Sequence, residues 1–441
     1  MKLFSPFLII FNITLSLSLF SQETKKPWTF IVYCAADNDL YSFAGRNIKQ
    51  MEAVGSTETI NILVQLDMHL QAKSKITKRY LIKKNKAVLI ETIQQGLDSG
   101  DPKSLVACCE WAVKNYPAEE YALIFWNHGT GIIDPSISKI INPSELFALN
   151  KESNMIELDR SIGFLEYIDS APSPEMPKRG VCFDSTTGNY LTNKKLEESL
   201  ATICSAQILG KKLGIIGFDA CLMSMLEITN IVKPYAQFHV GSQEAELGTG
   251  WDYSSILMPF SKGSLSPCDF AKNIVASYKT MYENITNDYT QSAIDLSKIN
   301  ALEESIHNLS LLLTEGLYGT EKNLLSTAIK TSRQGSSCTY FSEPSYIDLH
   351  HFLSNLHKKI EVCVQNAKTK QIGLYVKIKN EIKQATLLLE DAIIANVAGK
   401  DLKNAQGLSI YFPEKKIHHS YKKSLFSITN SWPKFLEKYL S

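Results

Sequence analysis

Apolar positions along the chain gather into short unbroken runs separated by stretches in which they recur every three or four residues. Trp28–Ala35, Thr59–Leu66, Tyr121–Trp126, Leu213–Phe218 and Ala236–Gly241 carry almost no polar interruption, which is the pattern of strands covered on both faces. The first runs into the polar loop Ala36-Asp37-Asn38-Asp39-Leu40 and a helix through about Met51. After Asp101-Pro102, a cap followed by a first-turn proline, Leu105, Val106, Cys109, Ala112, Val113 and Tyr116 repeat at helical spacing until Pro117. Thr192 caps a helix over Asn193–Ala206, Leu222–Val232 reads as another, and Ser266-Pro267 opens a third with Phe270, Ile274, Val275, Tyr278, Met281 and Tyr282 on one face. This alternation of strand, helix and strand predicts an α/β fold around a mostly parallel sheet. Ile76–Ile93 around Lys83-Lys84-Asn85-Lys86 reads as a surface hairpin. Beyond residue 298 helices dominate: Ile299–Leu317, Glu321–Thr331, Ile347–Asn366 and Leu374–Ala395. A last strand, Gly407–Phe412, and a closing helix from Ser431 follow.

Two stretches stand outside the alternation. Residues 132–180 are broken by Asp134-Pro135, Asn142-Pro143 and Pro172 to Pro177, and predict a long irregular insertion. At the N-terminus Lys2 precedes an apolar run, Leu3–Phe20, and then polar Ser21–Lys26. That is the form of a secretory signal peptide, and the run is near the lower length for a membrane anchor. Residues 1–22 are therefore set apart from the fold. The rest reads as a secreted or periplasmic protein that meets a membrane only through this transient segment.

Composition removes some function classes. The chain has 441 residues, 44% of them hydrophobic, and 46 basic side chains against 45 acidic. The core is ample, and the balanced charge with no basic, aromatic-interleaved patch excludes nucleic acid as the expected partner. Nine cysteines are an odd number with no C-x-x-C among them, which suits buried small hydrophobes better than a disulfide framework or a zinc site.

The chemistry gathers where two strands stop. Tyr121–Trp126 leads to Asn127-His128-Gly129-Thr130-Gly131, and Leu213–Phe218 leads to Asp219-Ala220-Cys221. Sites in open parallel sheets form beyond the carboxyl ends of the strands. A cysteine and a histidine brought there make a thiol nucleophile and its acid/base. The glycine after His128 lets backbone approach a substrate, and the amides of Gly129 and Cys221 could hold the oxyanion. A helix starting at Leu222 would favour a thiolate through its dipole. Glu244, Glu246 and Asp252 follow the strand Ala236–Gly241 and could line the same pocket, although a solvated loop is the favoured reading for Glu246. Turn or helix capping suffices for Asp184.

These segments also resemble the clostripain family of cysteine peptidases, relatives of caspases, legumains and gingipains. Asn127–Gly131 and Phe218–Met223 carry the likeness. Tyr33–Leu40, Ser242-Gln243-Glu244, Gly250–Tyr253, Ser292–Leu296, Tyr346–Leu349 and Gly407–Pro413 extend it over most of the chain in the family's order. The resemblance implies a caspase-like αβα sandwich with additional C-terminal helices, the dyad His128 and Cys221, and cleavage of protein or peptide substrates after arginine or lysine. Asp219 matches the family position tied to that preference. Leu247 stands where the family carries a proline, which leaves the shape of that loop open. The resemblance also implies a zymogen cut between the two segments. Lys139, Lys151, Arg160, Lys178 and Arg179 lie there, with the exposed dibasic pair Lys178 and Arg179 favoured. No cofactor is required, although calcium dependence occurs in the family, with ligands unassigned here. The expected organisation is a catalytic unit over 23–298 containing the insertion 132–180, a helical region over 299–397, and 398–441 returning to the same unit. The rival readings are a catalytically inactive surface binding protein on the same scaffold and a peptide acyl transferase. A redox role for Cys221 is poorer, because no resolving cysteine lies near it in sequence.

Overall fold

The fold follows from runs of side chains that alternate between two cores. In the computed structural model, which describes residues 25–69, 74–134, 147–150, 155–158 and 181–441, β1 (Lys26–Ala35) sends Ile31, Tyr33 and Ala35 to one core and Trp28, Phe30, Val32 and Cys34 to the other. Strand β5 (Ala118–Trp126) does the same with Tyr121, Leu123 and Phe125 against Ala122, Ile124 and Trp126. A strand packed on both sides needs no polar positions, and this is why the runs are unbroken.

One sheet of nine strands results. Its parallel middle is β2 (Ile60–His69), β1, β5, β10 (Leu213–Asp219) and β11 (Ala236–Gly241). Antiparallel strands complete both edges: β3 (Lys75–Lys83) and β4 (Lys86–Ile93) on one side, β12 (Thr290–Asp295) and β14 (Ile393–Ala398) on the other. The expected surface hairpin is thus an extension of the sheet. Helices α1 (Tyr41–Val54), α5 (Tyr253–Leu257) and α6 (Pro267–Tyr282) cover one face. The other is covered by α2 (Pro102–Asn115), α3 (Asn193–Thr202), α4 (Leu226–Val232), α7 (Ile299–Tyr318), α8 (Lys322–Arg333), α9 (Leu349–Asn366), α10 (Thr369–Ala392) and α12 (Trp432–Leu440), after the short α11 (Leu425–Thr429). The mostly parallel αβα layering read from the sequence is what forms, and the helices beyond residue 298 share a core with the sheet.

Smaller pairings lie off the sheet. β6 (Phe147–Asn150) pairs with β7 (Met155–Leu158), so the insertion expected to be irregular contains a ladder; the rest of 135–180, and residues 1–22, expected to be a signal peptide, lie outside the described residues. β8 (Val181–Asp184) pairs with β9 (Asn189–Leu191), and β13 (Tyr346–Asp348) pairs with β15 (Ser409–Tyr411).

Three element boundaries differ from expectation. The helix expected over Leu374–Ala395 stops at Ala392, and Ile393-Ile394-Ala395-Asn396-Val397 runs on as strand β14 without a polar break. The β-branched residues there gain a partner in β12, which local spacing does not reveal. The helix expected to reach Ala206 ends at Thr202 and widens into a π turn over Ile203–Gln207. The helix expected from Leu222 starts only at Leu226. Leu222 takes φ +63°, a left-handed conformation that no helix continues and that costs a branched residue about 1–2 kcal/mol. The stretch between is held by its neighbours instead: Leu222 N–H donates to Glu244 O, Ser224 N–H to Ser242 O, and Ser224 O accepts from Ser409 N–H.

Candidate functional site

The register of the sheet assembles the site. β5 and β10 run parallel with Trp126 opposite Asp219, and Asn127 N–H donates to Asp219 O at 3.2 Å. His128 and Cys221 each stand two residues past that pair, so the same rise of backbone brings both to the carboxyl edge. The two loops touch at Gly129: a Cβ there would lie 2.3 Å from Cys221 O, so only glycine lets the histidine loop approach the cysteine loop so closely. His128 and Cys221 line one narrow cleft together with Leu40, Trp126, Asn127, Asp219, Ala220, Glu246, Leu247, Gly248 and Gly250.

His128 is oriented by a residue the sequence reading passed over. Asp39 Oδ1 lies 2.9 Å from His128 Nε2. Burial opposes ionisation of Asp39, but the histidine's charge and hydrogen bond outweigh it and hold the carboxyl below its usual range. An available signal was position: Asp39 follows β1, which lies beside β5, at the same edge. Asn127 fastens the loops together, donating to Ala35 O (2.6 Å) and Phe183 O (3.1 Å) and accepting from Phe183 N–H (2.8 Å).

Cys221 is 5% exposed. Its Sγ accepts from Glu246 N–H at 3.2 Å. Burial pushes the thiol up to about 12, with the Glu246 and Glu244 carboxylates adding to the rise and the Glu246 amide opposing it. The helix-dipole stabilisation expected from a helix at Leu222 does not apply, since α4 begins five residues after Cys221 and is only seven residues long. All nine cysteines are free, and all but Cys268 are buried.

The acidic residues separate by place. Asp219, 5% exposed, accepts from Tyr253 OH (2.7 Å) and Trp251 N–H (3.3 Å) at the cleft. Gly250, at φ +62°, passes so near that a Cβ would sit 2.7 Å from Asp219 Oδ1. Glu246, read as a solvated loop residue, is instead buried beside Asp219, where Gln291 Nε2 (3.2 Å) and Trp251 Nε1 (3.5 Å) donate to its Oε1. Glu244 and Asp252, expected in the pocket, do not line the cleft. Glu244 accepts from Ser342 N–H at 3.0 Å and Ala245 N–H at 2.7 Å, tying in the segment before β13. Asp252 is the N-cap of α5, accepting from the amides and hydroxyls of Ser254 and Ser255. Lys178 and Arg179 lie outside the described residues.

A resident metal does not fit the one cluster whose donor set suggests it among the described residues. Asp37, Asp67 and Asp184 converge, but the Lys75 ammonium stands among them, 2.6 Å from Asp67 Oδ2, 3.3 Å from Asp37 Oδ2 and in contact with Asp184. The cation position is taken. Asp184, expected to be a cap, does accept from Thr187 N–H at 3.0 Å while also joining this cluster. No helix among the described residues is long and apolar enough to cross a membrane.

Comparison with known proteins agrees with this fold. Residues 32–143 and 166–439 match the model of the clostripain family. Clostripain of Hathewaya histolytica is 23% identical over 261 residues, which cover 54% of this chain and 42% of that protein; the chain thus matches less than half of its length. A secreted cysteine protease from Bacteroides thetaiotaomicron, solved with an irreversible peptide inhibitor, superposes with TM-score 0.56 at 18% identity over 93% of this chain and 99% of the other. An inactive zymogen protease from Parabacteroides distasonis gives 0.54 at 18% identity over 94% and 99%. At that identity these two bear on the fold alone.

Proposed function

The chain belongs to the clostripain family of cysteine peptidases, and from that premise we propose that it is an exported endopeptidase hydrolysing peptide bonds after arginine or lysine, with Cys221 as nucleophile and His128 as general acid and base. One observation carries the reading. His128 and Cys221 share a cleft with two buried carboxylates, Asp219 and Glu246, whose partners among the described residues include no cation. Buried charge without a partner is costly, and a basic side chain of the substrate supplies that partner.

The chemistry starts from a neutral thiol, since burial keeps the sulfur protonated. Its proton passes to His128 as the sulfur bonds to the scissile carbonyl carbon, and Asp39 steadies the imidazolium that forms. The amides of Gly129 and Cys221 receive the oxyanion. His128 returns the proton to the leaving amine as the C–N bond breaks. Water, losing a proton to the same imidazole, then displaces the sulfur from the acyl carbon and restores the thiol. The apolar run Leu3–Phe20 supports export, and the basic residues between positions 139 and 179 support self-processing there, with Lys178 or Arg179 favoured.

Short fluorogenic peptides that differ only in the residue before the scissile bond test this. Arginine and lysine peptides are expected to be cut at least about 100-fold faster than norleucine ones, roughly 2.8 kcal/mol, and Cys221→Ala and His128→Ala to abolish turnover. Equal turnover of basic and neutral peptides overturns the specificity, and activity surviving Cys221→Ala overturns the nucleophile. Purified Cys221→Ala protein that still converts to two chains overturns self-processing.

A further inference from the structure

We infer that Glu246 is a second specificity-determining carboxylate: it is joined to Asp219 through one proton while the cleft is empty, and yields that proton to solvent when a cationic side chain enters. The inference rests on the proposed preference for basic residues and adds to it a residue and a proton.

The geometry calls for such a proton. Glu246 is 7% exposed and Asp219 5%. Glu246 Oε1 takes the Gln291 and Trp251 donors, while Oε2 is buried with no donor from any neighbouring group. Asp219 spends Oδ2 on Tyr253 OH and Trp251 N–H and lines the same cleft as Glu246, with Trp251 holding both, Asp219 through its backbone N–H and Glu246 through its indole N–H. Two carboxyl groups buried side by side with no cation between them cannot both ionise without large cost, so the pair keeps one proton. Gly250 keeps the space beside Asp219 clear of any Cβ.

The surroundings do not neutralise the pair. Tyr253 faces it from α5, Tyr278 and Tyr282 from α6, and Cys34 from β1. Cys221 stands at the cleft with His128, which is engaged by Asp39. Glu244 adds further negative charge near Cys221. Arg46 of α1 is exposed and is felt at Tyr282. Phenols and thiols in this setting are neutral. Burial accordingly pushes both carboxyls above their ordinary range, Glu246 the further because Asp219 sits beside it.

The proton balance is simple. In the empty cleft the pair is one carboxylate and one carboxylic acid with net charge −1. With a guanidinium or ammonium between them both ionise, the proton goes to solvent, and the site holds −2 against +1. Binding of basic residues therefore strengthens as pH rises through the titration of the pair, whereas a neutral side chain of similar length leaves the proton where it is.

Calorimetry on full-length Cys221→Ala protein near neutral pH, in two buffers of different ionisation enthalpy, measures the proton. An arginine peptide is expected to release about one proton per peptide bound and the matching norleucine peptide none. Adding Glu246→Gln, which keeps an acceptor for Gln291 and Trp251, is expected to abolish the release and weaken arginine binding about tenfold. Preference for arginine without proton release overturns the inference and leaves the proposed specificity standing, as does release that persists in Glu246→Gln. Equal binding of the two peptides overturns the specificity beneath it. The pH dependence of KM in the unaltered enzyme gives the same answer without a variant at Glu246: a fall with rising pH for arginine substrates alone supports the inference, and parallel profiles overturn it.

Discussion

Two groups of buried carboxylates stand near the carboxyl edge of the same sheet, and they differ in what faces them. Asp37, Asp67 and Asp184 close around the Lys75 ammonium, with the Ser99 and Thr77 hydroxyls on Asp67 and the Ser99 and Thr187 amides on Asp184. Asp219 and Glu246 meet phenols, an indole and an amide side chain. The first group has its cation within the chain and ties β2, β3 and β8 to the loop after β1. The second has acceptors and, among the described residues, no cation. An internal cation makes a cluster part of the scaffold, and its lack leaves a charge for a ligand to meet. In the proposed reading the same residue type thus serves folding in one place and recognition in the other.

Removing Lys75 is the strongest way to break this contrast. Lys75→Met leaves three carboxylates buried against each other, and stripping one partner from a buried ion cluster costs about 3–5 kcal/mol. Urea unfolding is expected to show that loss, while the folded fraction keeps its preference for basic peptides. An unchanged unfolding midpoint would mean the ammonium is not what holds the cluster.

Asp219→Asn sharpens the contrast from the other side. The amide oxygen still accepts from Trp251 N–H and Tyr253 OH, and its nitrogen can donate to Glu246, so the change relieves repulsion and costs no folding stability. Turnover of arginine peptides is expected to fall about 100-fold in kcat/KM, roughly 2.8 kcal/mol, and that of norleucine peptides to change little. A parallel loss for both would assign Asp219 to the framework.

Stability against pH separates the clusters more gently. Asp184 is held below the ordinary range: burial opposes this, but Lys75 prevails. Its contribution is therefore present above the unfolded value, about 3.9, and is lost as pH falls through the folded one. Asp67 goes the other way. Burial, only partly offset by Lys75, raises it to about 6, and Asp219 and Glu246 are raised by burial too. Over the window between unfolded and folded values these three carboxyls bind more protons in the folded chain than in the unfolded one, so their contribution falls as pH rises, while His239, lowered by burial to about 3, contributes in the opposite direction. The difference between the unfolding temperatures at pH 5.5 and pH 7.5 is therefore expected to shift in Asp219→Asn toward relatively greater stability at the higher pH. An Asp219→Asn chain with the same pH dependence as the unaltered one would contradict a raised value at that site.

How much of this was legible in the chain depends on the range of the cause. Strands covered on both faces leave continuous apolar runs, so the parallel middle could be read directly, and with it the strand ends carrying His128 and Cys221. Strand β14 could not, because Ile393–Ala398 owes its form to β12, a hundred residues earlier in the chain. Nor could the delayed start of α4, which depends on contacts from Glu244, Ser242 and Ser409 to the loop after Cys221. Asp39 was visible as one acid in a loop with Asp37, yet only the fold sends one to His128 and the other to Lys75.

Asp252 gives the smallest and most discriminating test. In sequence it and Glu246 are two acids in one glycine-rich loop after β11, with Glu246 the one read as solvated, and the left-handed turn at Gly250 parts them. Glu246 lies before the turn and faces the cleft; Asp252 lies after it and caps α5, whose first residue, Tyr253, holds Asp219. If capping is the whole of its role, charge should not matter and an acceptor should. Asn caps about as well as Asp, whereas Ala costs about 0.5–2 kcal/mol. Asp252→Asn is therefore expected to leave both the unfolding midpoint and the ratio of arginine to norleucine turnover unchanged. Asp252→Ala should lower stability by about 1 kcal/mol and weaken arginine turnover only as far as the loosened helix lets Tyr253 drift from Asp219. A marked loss of arginine preference in Asp252→Asn, with stability intact, would place a third charge at the cleft and end the division between acids that build the loop and acids that read the substrate.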